Sequence, residues 1–195
     1  MPFCARPSSR GRTRAYLIDR RDIGKGAALQ ETALVLCCRS GWVAGVEHLL
    51  DVAGAGVDVP VLEGRTPLYV AAAEGNENCV ALLLSHGAQV NLCKDDGTSP
   101  LAIAALNRHL AVVNILVKNG ADVNLGDVDG FTPLFAVAQN GLKNFVSLLL
   151  ERGAQVNLAN RRGITPLYIA AGKFQIGKYK TPFLLHRVGG ARGCA

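Results

Sequence analysis

The strongest constraint on this chain is a repeat at a fixed period. Gly64-Arg65-Thr66-Pro67-Leu68 returns as Gly97-Thr98-Ser99-Pro100-Leu101, as Gly130-Phe131-Thr132-Pro133-Leu134 and as Gly163-Ile164-Thr165-Pro166-Leu167, each time after 33 residues. A second signature runs in phase with the first: Gly87-Ala88-Gln89-Val90-Asn91, Gly120-Ala121-Asp122-Val123-Asn124 and Gly153-Ala154-Gln155-Val156-Asn157. A unit this short cannot bury an apolar face alone, so units in phase must stack on one another.

The residue types assign each part of the unit a conformation. Pro67, Pro100, Pro133 and Pro166 suit the first position of a helix, where a missing N–H costs nothing. Thr66, Ser99, Thr132 and Thr165 precede them and can cap the orphan N–H groups. The helix that follows carries small residues (Ala71-Ala72, Ala104-Ala105, Ala136, Ala138), which let neighbouring helices approach closely. A second helix carries Val80, Leu83 and Leu84, then Val113, Leu116 and Val117, then Val146, Leu149 and Leu150; this i, i+3, i+4 spacing marks one buried stripe. Gly87, Gly120 and Gly153 end these helices where a left-handed residue is wanted, and Asp96-Gly97 and Asp129-Gly130 supply turns. Arg108 stands where Gly75 and Gly141 occupy the turn between the helices, so the second unit's turn is expected to be strained or differently shaped.

These residues carry a family resemblance. Through T-P-L, the Ala-Ala step, V-x-x-L-L and G-A-x-V-N at 33-residue spacing, the chain resembles ankyrin repeat proteins. The resemblance implies an all-α fold, an ankyrin-repeat solenoid of stacked helix-turn-helix units joined by hairpin-like finger turns. Its expected organisation is a basic, disordered leader over 1–30, a repeat domain over 31–172 and a non-repeat basic tail over 173–195. Within the domain 31–63 is degenerate, 64–96, 97–129 and 130–162 are full, and 163–172 is partial. In the degenerate unit Thr32-Ala33-Leu34 stands 34 residues before Thr66, and Gly41, Val46 and Leu49 precede Gly75, Val80 and Leu83 by the same step. The loss of pattern after Gly172 suggests a truncated or alternative end of a longer array. The family usually places histidine after T-P-L; here Tyr69, Ala102, Phe135 and Tyr168 replace it, removing a polar network and adding aromatic packing.

Composition narrows the functional classes. The net charge is +6, but 64–162 balance eight basic against eight acidic residues. The excess lies at the ends, whereas a nucleic-acid domain gathers its basic groups on one folded face. The ends therefore read as solvated tails. The N-terminal Arg6, Arg10, Arg12 and Arg14 weakly suggest a transit peptide, but Pro2, Pro7 and Gly11 would break its helix. No stretch approaches the about 18 apolar residues of a membrane span. The six cysteines (Cys4, Cys37, Cys38, Cys79, Cys93, Cys194) form no C-x-x-C pair and read as free thiols of a reducing compartment, the cytoplasm or the nucleus. No P-loop, nucleophile elbow or H-E-x-x-H motif appears. No catalytic residue, cofactor or metal is expected; Asp95-Asp96 and Asp127-Val128-Asp129 read as turn residues before cation ligands.

What remains is binding of another protein. The resemblance implies one concave surface of finger tips and first helices. The contact positions carried over are Arg65, Ala73 and Glu74; Asp95, Asp96, Thr98, Leu106 and Asn107; Val128, Asp129, Phe131, Gln139 and Asn140; and Arg161, Arg162 and Ile164. Phe131, exposed on a tip, and the aspartates are the leading candidates. The alternative is the substrate-recognition part of a ubiquitin ligase or other enzyme complex whose catalytic domain is not in this chain. The resemblance further implies Asn91, Asn124 and Asn157 as positions that asparaginyl hydroxylases modify in similar repeats. Of the remaining candidates, Trp42 is expected to cap or pack, His86 to sit in the last turn of a helix, and His109 to lie on an exposed turn.

Overall fold

The computed structural model describes residues 32–174; the expected leader and nearly all of the expected tail lie outside them. Helices come in pairs: α1 (Ala33–Ser40) with α2 (Val43–Asp51), α3 (Pro67–Glu74) with α4 (Glu77–Ser85), α5 (Pro100–Leu106) with α6 (Leu110–Lys118), and α7 (Pro133–Gln139) with α8 (Lys143–Glu151). The last helix among the described residues is α9 (Pro166–Phe174). First helices stack on first helices from α1 to α9, and α2 on α4 on α6 form the second row. The result is the expected all-helical stack of hairpins.

The caps work as their residue types predict. The Thr66, Ser99 and Thr132 hydroxyls accept the N–H of Tyr69, Ala102 and Phe135 at 3.0–3.1 Å, and Thr165 accepts that of Tyr168. Thr32 does the same for Val35 at the head of α1. The core is one continuous column in which Leu68, Leu101 and Leu134 of the first row face Leu83, Leu116 and Leu149 of the second, all 0–1% exposed. Alanines at 71, 72, 104, 105 and 138 are equally buried and set the close helix spacing.

Arg108 adopts φ +68°, the left-handed region that glycine fills at Gly75 and Gly141. A side chain there costs about 1–2 kcal/mol, partly offset by the extra unfolded-state freedom of glycine. Arg108→Gly is therefore expected to raise the unfolding free energy by about 0.5–1 kcal/mol in urea denaturation; a loss of stability would show that the arginine contributes more by its contacts than its backbone costs.

Polar ties join successive units at three levels. Between fingers, the N–H groups of Asp95, Val128 and Arg161 donate to the carbonyls of Glu63, Asp96 and Asp129 at 2.9–3.0 Å. After the second helices, Asp58, Asn91 and Asn124 accept the N–H of Gln89, Asp122 and Gln155 at 2.8–3.1 Å. Between paired helices, the Asn76 amide donates to the Cys38 carbonyl at 2.7 Å, and the His109 ring meets the Ala73 carbonyl at 3.0 Å. His109 is thus half-buried over Gly75 rather than lying on an exposed turn. In the next unit Leu142 holds this position, and an apolar side chain can only pack. The junction between the units at 97–129 and 130–162 therefore lacks the third tie, and α6 and α8 approach less closely than α2 and α4 or α4 and α6.

His86 caps α4 and links it to the first unit. Its Nε2 lies 2.7 Å from the Asp51 carboxylate and its Nδ1 2.9 Å from the Leu82 carbonyl. The Asp51 bond, then the Leu82 carbonyl, raise the His86 pKa above its usual value. Because the folded-state pKa is raised, the stabilisation is fully present below the unfolded pKa of about 6.5 and fades as pH rises through the folded value. Asp51→Asn is expected to lower Tm at pH 5.5 and to leave it nearly unchanged at pH 9; an equal loss at both pH values would show that protonation is not involved.

Candidate partner-binding face

The fingers are closed by backbone bonds from Val61 to Arg65, Lys94 to Thr98, Asp127 to Phe131 and Asn160 to Ile164, at 2.9–3.1 Å. Side chains reinforce them differently in each unit. Asp127 Oδ1 accepts the N–H of Asp129 and of Phe131, both at 2.9 Å. Asn160 Oδ1 accepts those of Arg162 and Ile164 at 3.0 Å. Lys94 holds the matching position of the preceding finger and cannot accept, so Asp96 takes the N–H of Thr98 instead at 2.9 Å. The Lys94 ammonium then bridges Asp96 at 3.0 Å and Glu63 at 3.3 Å, and Arg65 meets Glu63 at 3.1 Å. Lys94 and Arg65 hold the Glu63 carboxyl below its usual range. Burial works to raise Asp96, but the bonds from Thr98 and Lys94 outweigh it and lower its pKa.

Each expected contact residue has a definite place. Glu74 ends α3 and is exposed; Asp95, Asp96, Val128, Asp129, Arg161 and Arg162 are exposed on finger tips. Arg65 and Asp96 belong to the ion cluster just described, so their charges are already partnered. Asn107 donates to the Ala73 carbonyl at 2.7 Å, and Asn140 to its own helix at Ala136. Phe131 departs from expectation. It is half-buried, its ring edge-on to that of Phe135 at 4.8 Å between centroids. The same register is half-buried in every described finger (Arg65, Thr98, Phe131 and Ile164), so this position faces inward whichever side chain caps the turn.

This inward turn builds a groove. Thr98, Ala102 and Leu106 of one unit face Asp127, Phe131, Thr132, Phe135, Ala136 and Gln139 of the next across about 190 Å³. It lies at the junction that lacks the third tie. The groove brings Thr98, Leu106, Phe131 and Gln139 together from the expected set. Asp95, Asp96, Val128 and Asp129 lie on the tips of the two flanking fingers, while Glu74, Arg161 and Arg162 belong to units on either side. Ala102, Phe135 and Ala136 were not among the expected contacts; the loss of histidine after T-P-L at 102 and 135 was the available signal. Asp127, read from the sequence as a turn residue, is both turn former and groove wall.

The three asparagines differ. Asn91 and Asn124 donate to the carbonyls of Gly120 and Gly153 while accepting from the next unit. Asn157 is exposed, and the positions that match those partners, 186 and 188, lie outside the described residues. Trp42 does not pack into the core: it is 63% exposed and lies over Gly45 at the head of α2, without a side-chain capping bond. Cys37, Cys38 and Cys79 are buried free thiols, and burial pushes their pKa values up. No set of residues suited to holding a metal ion, and no helix long and apolar enough to cross a membrane, occurs among the described residues.

Comparison with known proteins agrees with this geometry. The family model described as "Ankyrin repeats (3 copies)" matches residues 10–92, 34–127 and 124–181. The chain belongs to the ankyrin repeat family. A 60-residue stretch is 40% identical to the E3 ubiquitin-protein ligase KEG of Arabidopsis thaliana, covering 31% of this chain and 4% of that protein.

Proposed function

We propose that the chain is a non-catalytic protein–protein interaction module that binds a partner on the face formed by its first helices and finger turns. The observation that carries this reading is the groove between the second and third full units, apolar within and ringed by exposed polar finger tips. Ankyrin repeats are generally protein-binding modules, and a face of this kind meets another surface better than it meets a small molecule. Its volume lies below the about 300–1,000 Å³ of small-ligand pockets. The buried free thiols favour a reducing compartment, cytoplasm or nucleus. The test is affinity capture with the full chain and with Phe131→Ala/Asp129→Ala, each checked by thermal melting. Loss of a specific partner with the fold retained supports the reading; retained capture removes this face from it.

The likeness to a ubiquitin ligase favours a second reading, in which the chain selects substrates for such an enzyme while another polypeptide supplies catalysis. Recovery of ligase subunits among captured proteins would support it. Asparaginyl hydroxylation at Asn91, Asn124 or Asn157 is a further proposal on the family resemblance.

A further inference from the structure

Resting on the interaction-module reading, we propose that the groove between the units at 97–129 and 130–162 seats an extended peptide with one large apolar side chain flanked by lysine or arginine. The floor fits the apolar side chain. Ala102 and Ala136 leave space, Leu106 is 37% exposed, and the edge-on pair Phe131–Phe135 forms a stiff aromatic wall. The volume of 190 Å³ suits one leucine or phenylalanine rather than a cofactor or a whole helix.

The rim fits the cations. Of the carboxylates on the two flanking fingers, Asp96 is paired with Lys94 and Asp95 lies over Gly64 of the preceding finger, which leaves Asp127 on the groove wall and Asp129 on the adjoining tip. Asp129 is exposed, so a basic flank finds a carboxylate that an anionic one would face at a cost. Arg161 and Arg162 lie one finger further along and limit the acidic rim to this junction. The same junction lacks the polar tie that Asn76 and His109 supply elsewhere, since Leu142 stands in their place. Between its two units the finger bond from Val128 to Asp96 and the Asn124 bonds remain.

The experiment is fluorescence polarisation of the full chain with three labelled peptides: Lys-Arg-Leu-Phe-Leu-Arg-Lys, its charge-reversed form Glu-Asp-Leu-Phe-Leu-Asp-Glu, and Lys-Arg-Ser-Ser-Ser-Arg-Lys. The first is expected to bind at least about tenfold more tightly than either control, with affinity falling as salt rises. Leu106→Arg, and separately Asp129→Lys, are expected to weaken it about tenfold while melting like the parent; Glu77→Lys on α4 is expected to change nothing. Equal binding of the serine peptide, indifference to the groove variants, or no binding overturns the proposal. If the chain captures a partner through this face and yet binds none of the peptides, the interaction-module reading stands and this peptide chemistry falls.

Discussion

Leu116→Ala is expected to lower the unfolding free energy by about 3 kcal/mol, within the about 2–5 kcal/mol found when a fully buried leucine is truncated. Leu116 is 0% exposed in α6, in the same register as Leu83 in α4 and Leu149 in α8, both also fully buried. Its position in the middle of the column adds a second effect. In a stack each unit is held by its neighbours, so a weak central unit uncouples the two sides. The variant is expected to unfold in urea with a lower midpoint and a shallower or split transition, as the sides at 32–96 and 130–174 lose their connection. A destabilisation below about 1 kcal/mol, with the transition unchanged in shape, would mean that the column does not carry cooperativity through α6.

Two glycine substitutions separate backbone strain from lack of space. Gly97 and Gly87 share φ +83°. A Cβ on Gly97 would lie 2.7 Å from the Val128 amide nitrogen and 2.9 Å from the Asp127 Cα, whereas nothing lies within 4 Å of one on Gly87. Gly87→Ala therefore meets only the left-handed cost of about 1–2 kcal/mol. Gly97→Val meets that cost and a clash with the backbone of the next finger, worth about 1–3 kcal/mol more, which must break the Val128–Asp96 bond if it is to relax. Chemical denaturation should place Gly97→Val about 2 kcal/mol or more below Gly87→Ala, and only the former should increase amide exchange at Val128. Equal effects at the two positions would show that the fingers do not touch as closely as described.

The helices were legible in the sequence because each unit states its own start, stripe and stop, and does so several times in phase. A single Thr-Pro or Gly-Ala pair would have said little. The Arg108 turn was legible for the same reason, since a register with glycine on either side exposes the exception. Side-chain direction in the fingers was not. Phe131 is half-buried against the ring of Phe135 on the adjoining helix, a contact that a pattern read along the finger does not state. His109 and Trp42 failed differently. Both stand at the head of a second helix, where exposure depends on what the neighbouring unit offers. Gly75 gives the His109 ring room to reach the Ala73 carbonyl, while among the described residues the Trp42 ring lies over Gly45 of its own helix. The groove itself is a relation between two units, so a pattern read within one unit cannot show it.

The account as a whole rests on the face of first helices and fingers being the surface that meets a partner. Amide hydrogen exchange on the full chain, alone and with the protein recovered by capture, tests this most directly. Protection confined to 95–98, 106–107, 127–131 and 139–140, with α4, α6 and α8 unchanged, is the predicted result. Protection on those second-row helices with the fingers unaffected would contradict it.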